Sequence, residues 1–164
     1  LKMAKAIFKD AIDYRRIRVH HGGYFPFGLQ SEGTAVTPNG HMYYPTLLYK
    51  DDFYQKDIRQ QWLFIHEMVH VWQHQLGVHV RARGLISWLV DYQYYLKESL
   101  KLSDYGLEQQ ASLIADYYIL KEYGYKKWSE RNFKYGIGGY NIIDSYEIVL
   151  SLFLSDPSDI RNRP

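Results

Sequence analysis

The sequence predicts an α+β domain that is mostly helical, with a short β-hairpin or small sheet beside its most strongly patterned helix. Four segments repeat apolar residues at the spacing of an amphipathic helix. By contrast, β-favouring residues are concentrated in one stretch, residues 34–49. The chain has 164 residues, 46% of them hydrophobic, and no internal repeat or linker-like tract, so we expect one domain over residues 1–164.

The composition excludes several classes of protein. Twenty basic residues nearly balance 18 acidic ones and form no dense block, which argues against nucleic-acid binding. The longest apolar runs fall far short of the roughly 20 residues that a membrane span needs. The chain has no cysteine, so disulfide scaffolds, thiolate metal sites and a cysteine nucleophile are excluded. Any metal must therefore be held by nitrogen and oxygen atoms.

The first third of the chain predicts a helix, a turn-rich segment and a hairpin. The helix has apolar residues at helical spacing: Leu1, Ala4, Ile7, Phe8, Ala11 and Ile12. Glycines and a proline exclude a regular helix from residues 20–28. Asn39-Gly40 is a tight-turn signal, so residues 35–37 and 41–44 are expected to pair as a short hairpin.

Three more helices are predicted downstream. The most strongly patterned helix covers residues 58–76, with Asp57 as its N-cap and Gly77 at its C-terminal stop. Residues 78–102 are compatible with either strand or helix. A further helix is expected over residues 107–123, stopped by Gly124. The last is expected to begin at Asp144 as N-cap, with Glu147 completing a capping box, and to end before Pro157.

The most strongly patterned helix, residues 58–76, contains the HExxH pattern in residues 66–70. Four residues turn a helix through about 400°, so His66 and His70 lie one turn apart on one face, where both imidazoles can reach one ion at about 2.1 Å. Glu67 is rotated by about 100° and can reach a metal-bound water without being a ligand. The extended pattern with a third histidine is excluded, because Gln73 and Leu76 stand at its glycine and histidine positions.

A catalytic zinc usually has three protein ligands, so a third must come from elsewhere in the chain. Glu108, at the start of the helix over residues 107–123, is the best candidate. Asp116, Glu98 and Asp91 remain alternatives. Asp116 is otherwise expected either to accept a hydrogen bond from a ligand imidazole or to be a plain surface acid. His74 is expected near the mouth of the site or simply on the surface.

These residues predict metal-assisted hydrolysis. Zinc lowers the pKa of a bound water to about 7, and Glu67 would act first as general base and then as general acid. The tetrahedral oxyanion needs a further donor, for which the candidates are His21, Tyr92, Tyr94, Tyr117 and Tyr118. A peptide substrate is expected to add as a strand along the extended edge of residues 37–44.

Four segments carry a resemblance to a known family: HEMVHVWQHQ and YGLEQQASLIADYY, with VHHGGYFPFG and TPNGHMYY upstream. Over roughly residues 18–123 the chain resembles the zincin-like metallopeptidase modules at the C-termini of bacterial type VI secretion spike proteins (valine-glycine repeat proteins) and Rhs-type toxins. The resemblance implies a zincin-like fold in which His66, His70 and Glu108 bind Zn²⁺ and Glu67 is catalytic. It also implies a C-terminal module of a longer protein, secreted and acting in the periplasm of a rival cell.

Three functions are compatible with these features. The favoured one is an antibacterial zinc peptidase that acts on proteins. The second is a zinc hydrolase of cell-wall peptide cross-bridges, and the third is a zinc-binding module that acts by gripping a partner. The expected partners are a protein or peptide substrate, the parent spike protein and an immunity protein.

Overall fold

The computed structural model describes residues 1–25, 30–80, 93–132 and 142–164. The described residues form a mostly helical α+β fold, as the sequence predicts, with a small two-stranded sheet. The elements are α1 (Lys2–Phe8), β1 (Val19–His21), β2 (Met42–Tyr44), α2 (Ile58–Gln75), α3 (Leu107–Asn132), α4 (Ile142–Val149) and α5 (Ser151–Ser155). Within the described ranges, no helix has the length and apolar character that crossing a membrane requires.

Helix α2 lies at the centre of the fold and has the predicted ends. The Asp57 side chain accepts a hydrogen bond from the backbone N–H of Gln60 at 3.0 Å, which caps the first turn. The helix ends at Gln75, and Gly77 has a φ of 89°, in the left-handed region that stops a helix. Helix α2 packs against α3, α1 and β2, and this packing accounts for its largely buried middle turns.

The N-terminal half of helix α3 packs against α2. Ala111 is fully buried there, and its small side chain allows the two helices to approach closely. The predicted stop at Gly124 is a sharp kink, since Gly124 has a φ of 78° and a ψ of 175°. The chain then resumes a helix to Asn132, which the periodicity of residues 107–123 did not predict.

The sheet differs from the predicted hairpin. Strand β2 pairs in parallel with β1, with Val19 opposite Met42 and His21 opposite Tyr44. The expected antiparallel pairing survives as a single bridge between Val36 and Tyr43, whose two backbone hydrogen bonds measure 3.2 and 2.9 Å. The main partner of β2 therefore lies in the segment predicted as turns, because parallel pairing depends on tertiary packing and leaves no local turn signal.

Three further boundaries differ from expectation. Helix α1 ends at Phe8, since Lys9 has a φ of 50°, although Ile12 is still buried. The last helical segment begins at Ile142, which places Asp144 inside the first turn, so its prediction as N-cap is wrong. Of the ambiguous residues 78–102, residues 81–92 lie outside the described ranges. Residues 93–101 have no regular secondary structure apart from a turn at residues 98–99, and a short 3-10 helix begins at Leu102.

The core is unusually aromatic. Trp72 of α2 is fully buried and lies against Phe8 and Phe153, with ring centroids 6.3 and 5.1 Å away. Its indole N–H donates to the carbonyl oxygen of Pro157 at 2.7 Å, which ties the C-terminal segment to the central helix. Six tyrosines among the described residues are buried in this core as well, namely Tyr44, Tyr94, Tyr105, Tyr117, Tyr118 and Tyr146.

Candidate metal centre

His66, His70 and Glu108 come together where α2 packs against the first turn of α3. The Nε2 atoms of His66 and His70 lie 3.0 and 3.2 Å from the same carboxylate oxygen, Oε2 of Glu108. One donor atom from each residue lies within 4.8 Å of the others, so the three side chains can hold a metal ion. Both imidazoles are about 5% exposed and the carboxylate is 17% exposed, so Glu108 is the member of the cluster that is most accessible to solvent.

The electrostatics of this cluster favour an ion pair. Burial opposes protonation of His70, but the charge and hydrogen bond of Glu108 outweigh it and raise the pKa of His70 above its ordinary value of 6.5. Burial also disfavours the Glu108 carboxylate, yet the charge of His70 and hydrogen bonds to both imidazoles lower the pKa of Glu108 from 4.5. A divalent ion that takes these atoms as ligands must displace the proton on His70.

The other acids that remained open as third ligand have different surroundings. Glu98 accepts a hydrogen bond from the Ser145 hydroxyl at 2.7 Å on the exposed surface. Asp116 is 3% exposed and lies under Trp62, away from the carboxylate position that Glu108 fills. Asp91 lies outside the described residues. Within those residues, only Glu108 is grouped with the two histidines.

Glu67 lies beside the cluster and is buried, with 4% of its surface exposed. Its Oε2 atom accepts a hydrogen bond from the Thr37 hydroxyl at 2.6 Å. Thr37 lies in the segment that precedes β2, and it is itself 4% exposed. Strand β2 packs against α2 near this carboxylate. Burial, followed by the charge of Glu67, raises the pKa of Tyr44 well above its ordinary value of 10.

Each histidine of the cluster has a partner one helical turn away. The Nδ1 atom of His70 lies 2.8 Å from Oε1 of Gln73, and the ring of His66 is stacked at 4.8 Å on the indole of Trp62. Both spacings, i+3 and i−4, place side chains on the same helix face, and they are the local signal that would have found these residues from the sequence. Sequence reasoning missed both, and it missed Thr37, which has no such local signal.

Asp116 is linked to His66 through Trp62, which contacts both residues. Its Oδ1 atom accepts a hydrogen bond from the Trp62 indole at 2.7 Å, and its Oδ2 atom accepts one from the Tyr94 hydroxyl at 2.6 Å. The Arg131 guanidinium lies 3.5 Å from the centre of the Trp62 ring, and its Nε lies 3.5 Å from Asp116. Asp116 therefore holds the ring that stacks on His66, and it is buried rather than a plain surface acid.

Two residues predicted as candidate oxyanion donors make other contacts. The Tyr117 hydroxyl donates to Glu147 at 3.1 Å, next to the ion pair between Lys121 and Glu147. His21 is exposed at the end of β1, and its ring is stacked on Tyr49 at 4.4 Å. Neither contact involves the metal cluster, so the oxyanion role of these two side chains gains no support from the described residues.

His74 lies one turn beyond His70, against the turn at Gly40. A Cβ atom on Gly40 would lie 2.5 Å from Cδ2 of His74, so the ring covers this turn. Burial and the nearby positive charges of Arg16, His41 and His79 lower the pKa of His74. His74 is therefore part of a cationic surface cluster at the C-terminal end of α2.

The predicted substrate edge is occupied along β2. Backbone groups of Met42 and Tyr44 bond toward β1, while both backbone groups of Tyr43 bond to Val36 on the other side. Strand β2 is therefore central, and a peptide cannot add along residues 42–44, because their hydrogen-bonding groups already have partners. For the rest of the expected edge, residues 37–41, substrate binding stays a prediction.

The fold and site define a class of protein: a small α+β domain with a buried HExxH helix and a His₂Glu cluster that can hold a metal ion. No protein-family model matches the chain. The type VI secretion system spike protein VgrG2b of Pseudomonas aeruginosa is 38% identical over an alignment of 132 residues, which covers 76% of this chain and 13% of that protein. The effector domain of Pseudomonas aeruginosa VgrG2b has a solved structure with 33% identity and a TM-score of 0.65, covering 82% of this chain and 78% of that one.

The chain therefore belongs to the family of VgrG2b effector domains. The resemblance to modules of type VI secretion spike proteins is therefore confirmed, since the relatives are such a spike protein and its effector domain. The chain spans about 13% of the length of the whole spike protein, so the match concerns the effector part.

Proposed function

We propose that this domain is a zinc-dependent metallopeptidase with a zincin-like fold. The observation that carries the proposal is the convergence of two imidazole nitrogens on one carboxylate oxygen, with Glu67 buried beside them on the same helix. Two histidines and one carboxylate form a ligand set of catalytic zinc, which leaves a position open for water or substrate.

The donor geometry fits zinc. Bonds of about 2.1 Å at tetrahedral angles place neighbouring donor atoms about 3.4 Å apart. The two nitrogen-to-oxygen distances, 3.0 and 3.2 Å, are within a few tenths of that separation. Zinc, when bound, supplies a Lewis acid that lowers the pKa of water and polarises a peptide carbonyl group.

Glu67 would move the proton. It is a carboxylate outside the ligand set, and the Thr37 hydroxyl holds one of its oxygens at 2.6 Å. In this position it can take a proton from the attacking water and return it to the leaving amine. Its burial excludes bulk water from that exchange.

The proposed setting is antibacterial secretion. The relatives are named as a type VI secretion spike protein and its effector domain, so we place this domain as a secreted effector associated with a spike protein. Its substrate would be a protein or peptide in the periplasm of a target cell, and an immunity protein would protect the producing cell.

The decisive experiment replaces Glu67 by glutamine. Glu67→Gln keeps the shape of the side chain but cannot accept the proton, so hydrolysis of casein should fall by about 10²–10⁴-fold. Zinc content should stay at the wild-type value, because Glu67 is not a ligand, and the variant should remain folded. Undiminished hydrolysis by a correctly folded, zinc-loaded Glu67→Gln protein would contradict the catalytic role.

The same variant separates the competing functions in cells. Periplasm-directed expression of the wild type should be toxic, and Glu67→Gln should remove the toxicity. Toxicity that survives the substitution would instead favour a module that only grips a partner. Incubation of the purified protein with casein and with peptidoglycan then distinguishes a peptidase of proteins from a hydrolase of cell-wall cross-bridges.

A further inference from the structure

A pair of buried glutamines lies directly behind the candidate metal centre. Gln73 on α2 and Gln110 on α3 are both fully buried, and neither is part of the ligand set. The Oε1 atom of Gln73 lies 2.8 Å from Nδ1 of His70, and its Nε2 atom donates to Oε1 of Gln110 at 3.0 Å. The two amides therefore connect the ligand histidine to the interior of the molecule.

Three backbone carbonyl groups fix the direction of this chain of hydrogen bonds. Nε2 of Gln110 donates to the carbonyl oxygens of Leu102 and Asn162 at 2.8 and 3.1 Å. Nε2 of Gln73 donates to the carbonyl oxygen of Leu107 at 3.1 Å. A carbonyl oxygen only accepts hydrogen bonds, so each amide nitrogen must face these groups, and neither amide can be turned over without placing two oxygens against each other.

The tautomer of His70 follows from that direction. With its nitrogen facing Leu107, Gln73 presents its oxygen to His70, and an oxygen can only accept. Nδ1 of His70 must therefore carry the hydrogen. In the neutral ring the lone pair is then on Nε2, which is the atom that lies 3.2 Å from Glu108 in the metal cluster.

We infer that Gln73 is a positioning residue for the metal centre, which holds His70 in the Nδ1–H tautomer and presents Nε2 to the ion. This inference rests on the proposed zinc site. Gln110 and the three carbonyl groups keep the Gln73 amide in the required orientation. Because the acceptor is a neutral amide, it fixes the ring without adding a second negative charge behind the site.

The arrangement also links the ligand geometry to distant segments. The carbonyl groups belong to the 3-10 helix Leu102–Asp104, the first residue of α3, and the C-terminal 3-10 helix Ile160–Asn162. Glu108 directly follows Leu107, so one network sets the position of two of the three ligands. An amide that lost its partner here would be left buried and unsatisfied, and this cost favours one arrangement of the whole network.

The test compares two glutamines of the same helix. Gln73→Leu removes the acceptor behind His70, and zinc affinity, measured by competition with a chromogenic chelator, should fall by about 10–100-fold. Gln75→Leu is the matched control, because within the described residues Gln75 bonds only to backbone groups of Asp13, at 2.8 and 3.3 Å. It should lower stability and leave zinc affinity unchanged.

A spectroscopic measurement separates positioning from a general loss of structure. In the Co²⁺-substituted protein, the Nδ1–H proton of His70 should give a hyperfine-shifted signal that exchanges slowly with water. The signal should persist in Gln75→Leu and be lost to exchange in Gln73→Leu. Gln73→Glu restores an acceptor, so it should keep more zinc affinity than Gln73→Leu even though it is less stable than the wild type.

The outcomes are distinguishable. If Gln73→Leu binds zinc as tightly as Gln75→Leu and keeps the protected signal, the inference is overturned while the zinc site stands. If the wild type itself binds no zinc, the proposed function fails first. Should Gln73→Leu not fold, Gln73→Met serves instead, since it keeps the length of the side chain and removes the amide acceptor, and equal affinity and protection in that variant would likewise overturn the inference.

Discussion

The hydrogen bond from Thr37 to Glu67 is a contact between two almost fully buried side chains, at 2.6 Å. Thr37→Val replaces the hydroxyl by a methyl group of similar size, so it removes the donor and leaves a buried carboxylate in place. The free energy of unfolding should fall by about 1.5–3 kcal/mol, the usual contribution of a hydrogen bond to a charged group. Urea denaturation of wild type and variant measures this difference.

Thr37→Ser is the control, because it keeps the hydroxyl and removes only a methyl group. It should retain most of the stability and of the peptide hydrolysis that Thr37→Val loses. Zinc content should be the same in all three proteins, since Thr37 contacts no ligand. A valine variant with wild-type stability and turnover would show that Glu67 does not depend on this hydrogen bond.

The site residues differ in how far their roles can be predicted from the sequence. His66, Glu67 and His70 lie within five consecutive residues, so helix geometry alone predicts their relative positions. Glu108 required a judgement between four acids, because its approach depends on how α2 packs against α3. Thr37 could not be assigned at all, since its contact joins residues 30 positions apart through the path of an irregular segment.

At the scale of elements, the turn between Val36 and Tyr43 positions Thr37 over α2. Gly40 has a φ of 77°, and a Cβ atom there would meet His74 at 2.5 Å. Gly40→Ala should therefore lose about 1–2 kcal/mol from the backbone alone, and more from displacing the imidazole ring. Thermal or urea denaturation measures the total loss.

A double-mutant cycle with His74→Ala separates these two contributions. In the His74→Ala background the ring is absent, so Gly40→Ala should cost only the backbone part. Equal costs of Gly40→Ala in both backgrounds would mean that the added methyl group makes no unfavourable contact with the His74 ring, because the ring moves aside.

The elements themselves were predictable where their signals are local. Asp57 and Gly77 bound α2, as expected, because capping and left-handed glycine are properties of the adjacent residues. The parallel pairing of β1 with β2 was not predicted, since no short-range pattern relates Val19 to Met42. The false N-cap at Asp144 has a similar origin, because a capping-box pattern also fits residues that already lie within a helix.

At the scale of the whole molecule, pH changes stability in opposite directions through the candidate metal centre and through the surface histidines. The pKa of His70 is raised, so its ion pair with Glu108 stabilises the folded chain fully below 6.5 and is lost as the pH rises through the raised value. Burial and neighbouring positive charges lower the pKa values of His41 and His74, so their contribution is present above 6.5 and is lost on acidification. Only the first effect involves atoms that zinc would take.

Zinc should therefore stabilise the protein more at pH 8 than at pH 6. Zinc competes with the proton on His70, so its affinity rises with pH, and saturation at a hundredfold excess over Kd adds about 2.7 kcal/mol. The measurement is the difference in melting temperature between zinc-loaded and EDTA-treated protein at the two pH values. The contributions of His41 and His74 occur in both forms and largely cancel in that difference.

Glu108→Gln is the control, because it removes the carboxylate that both raises the His70 pKa and would bind zinc. The difference in melting temperature between its zinc-loaded and EDTA-treated forms should be small at either pH. An equal zinc effect at pH 6 and pH 8 in the wild type would contradict the competition between zinc and this proton.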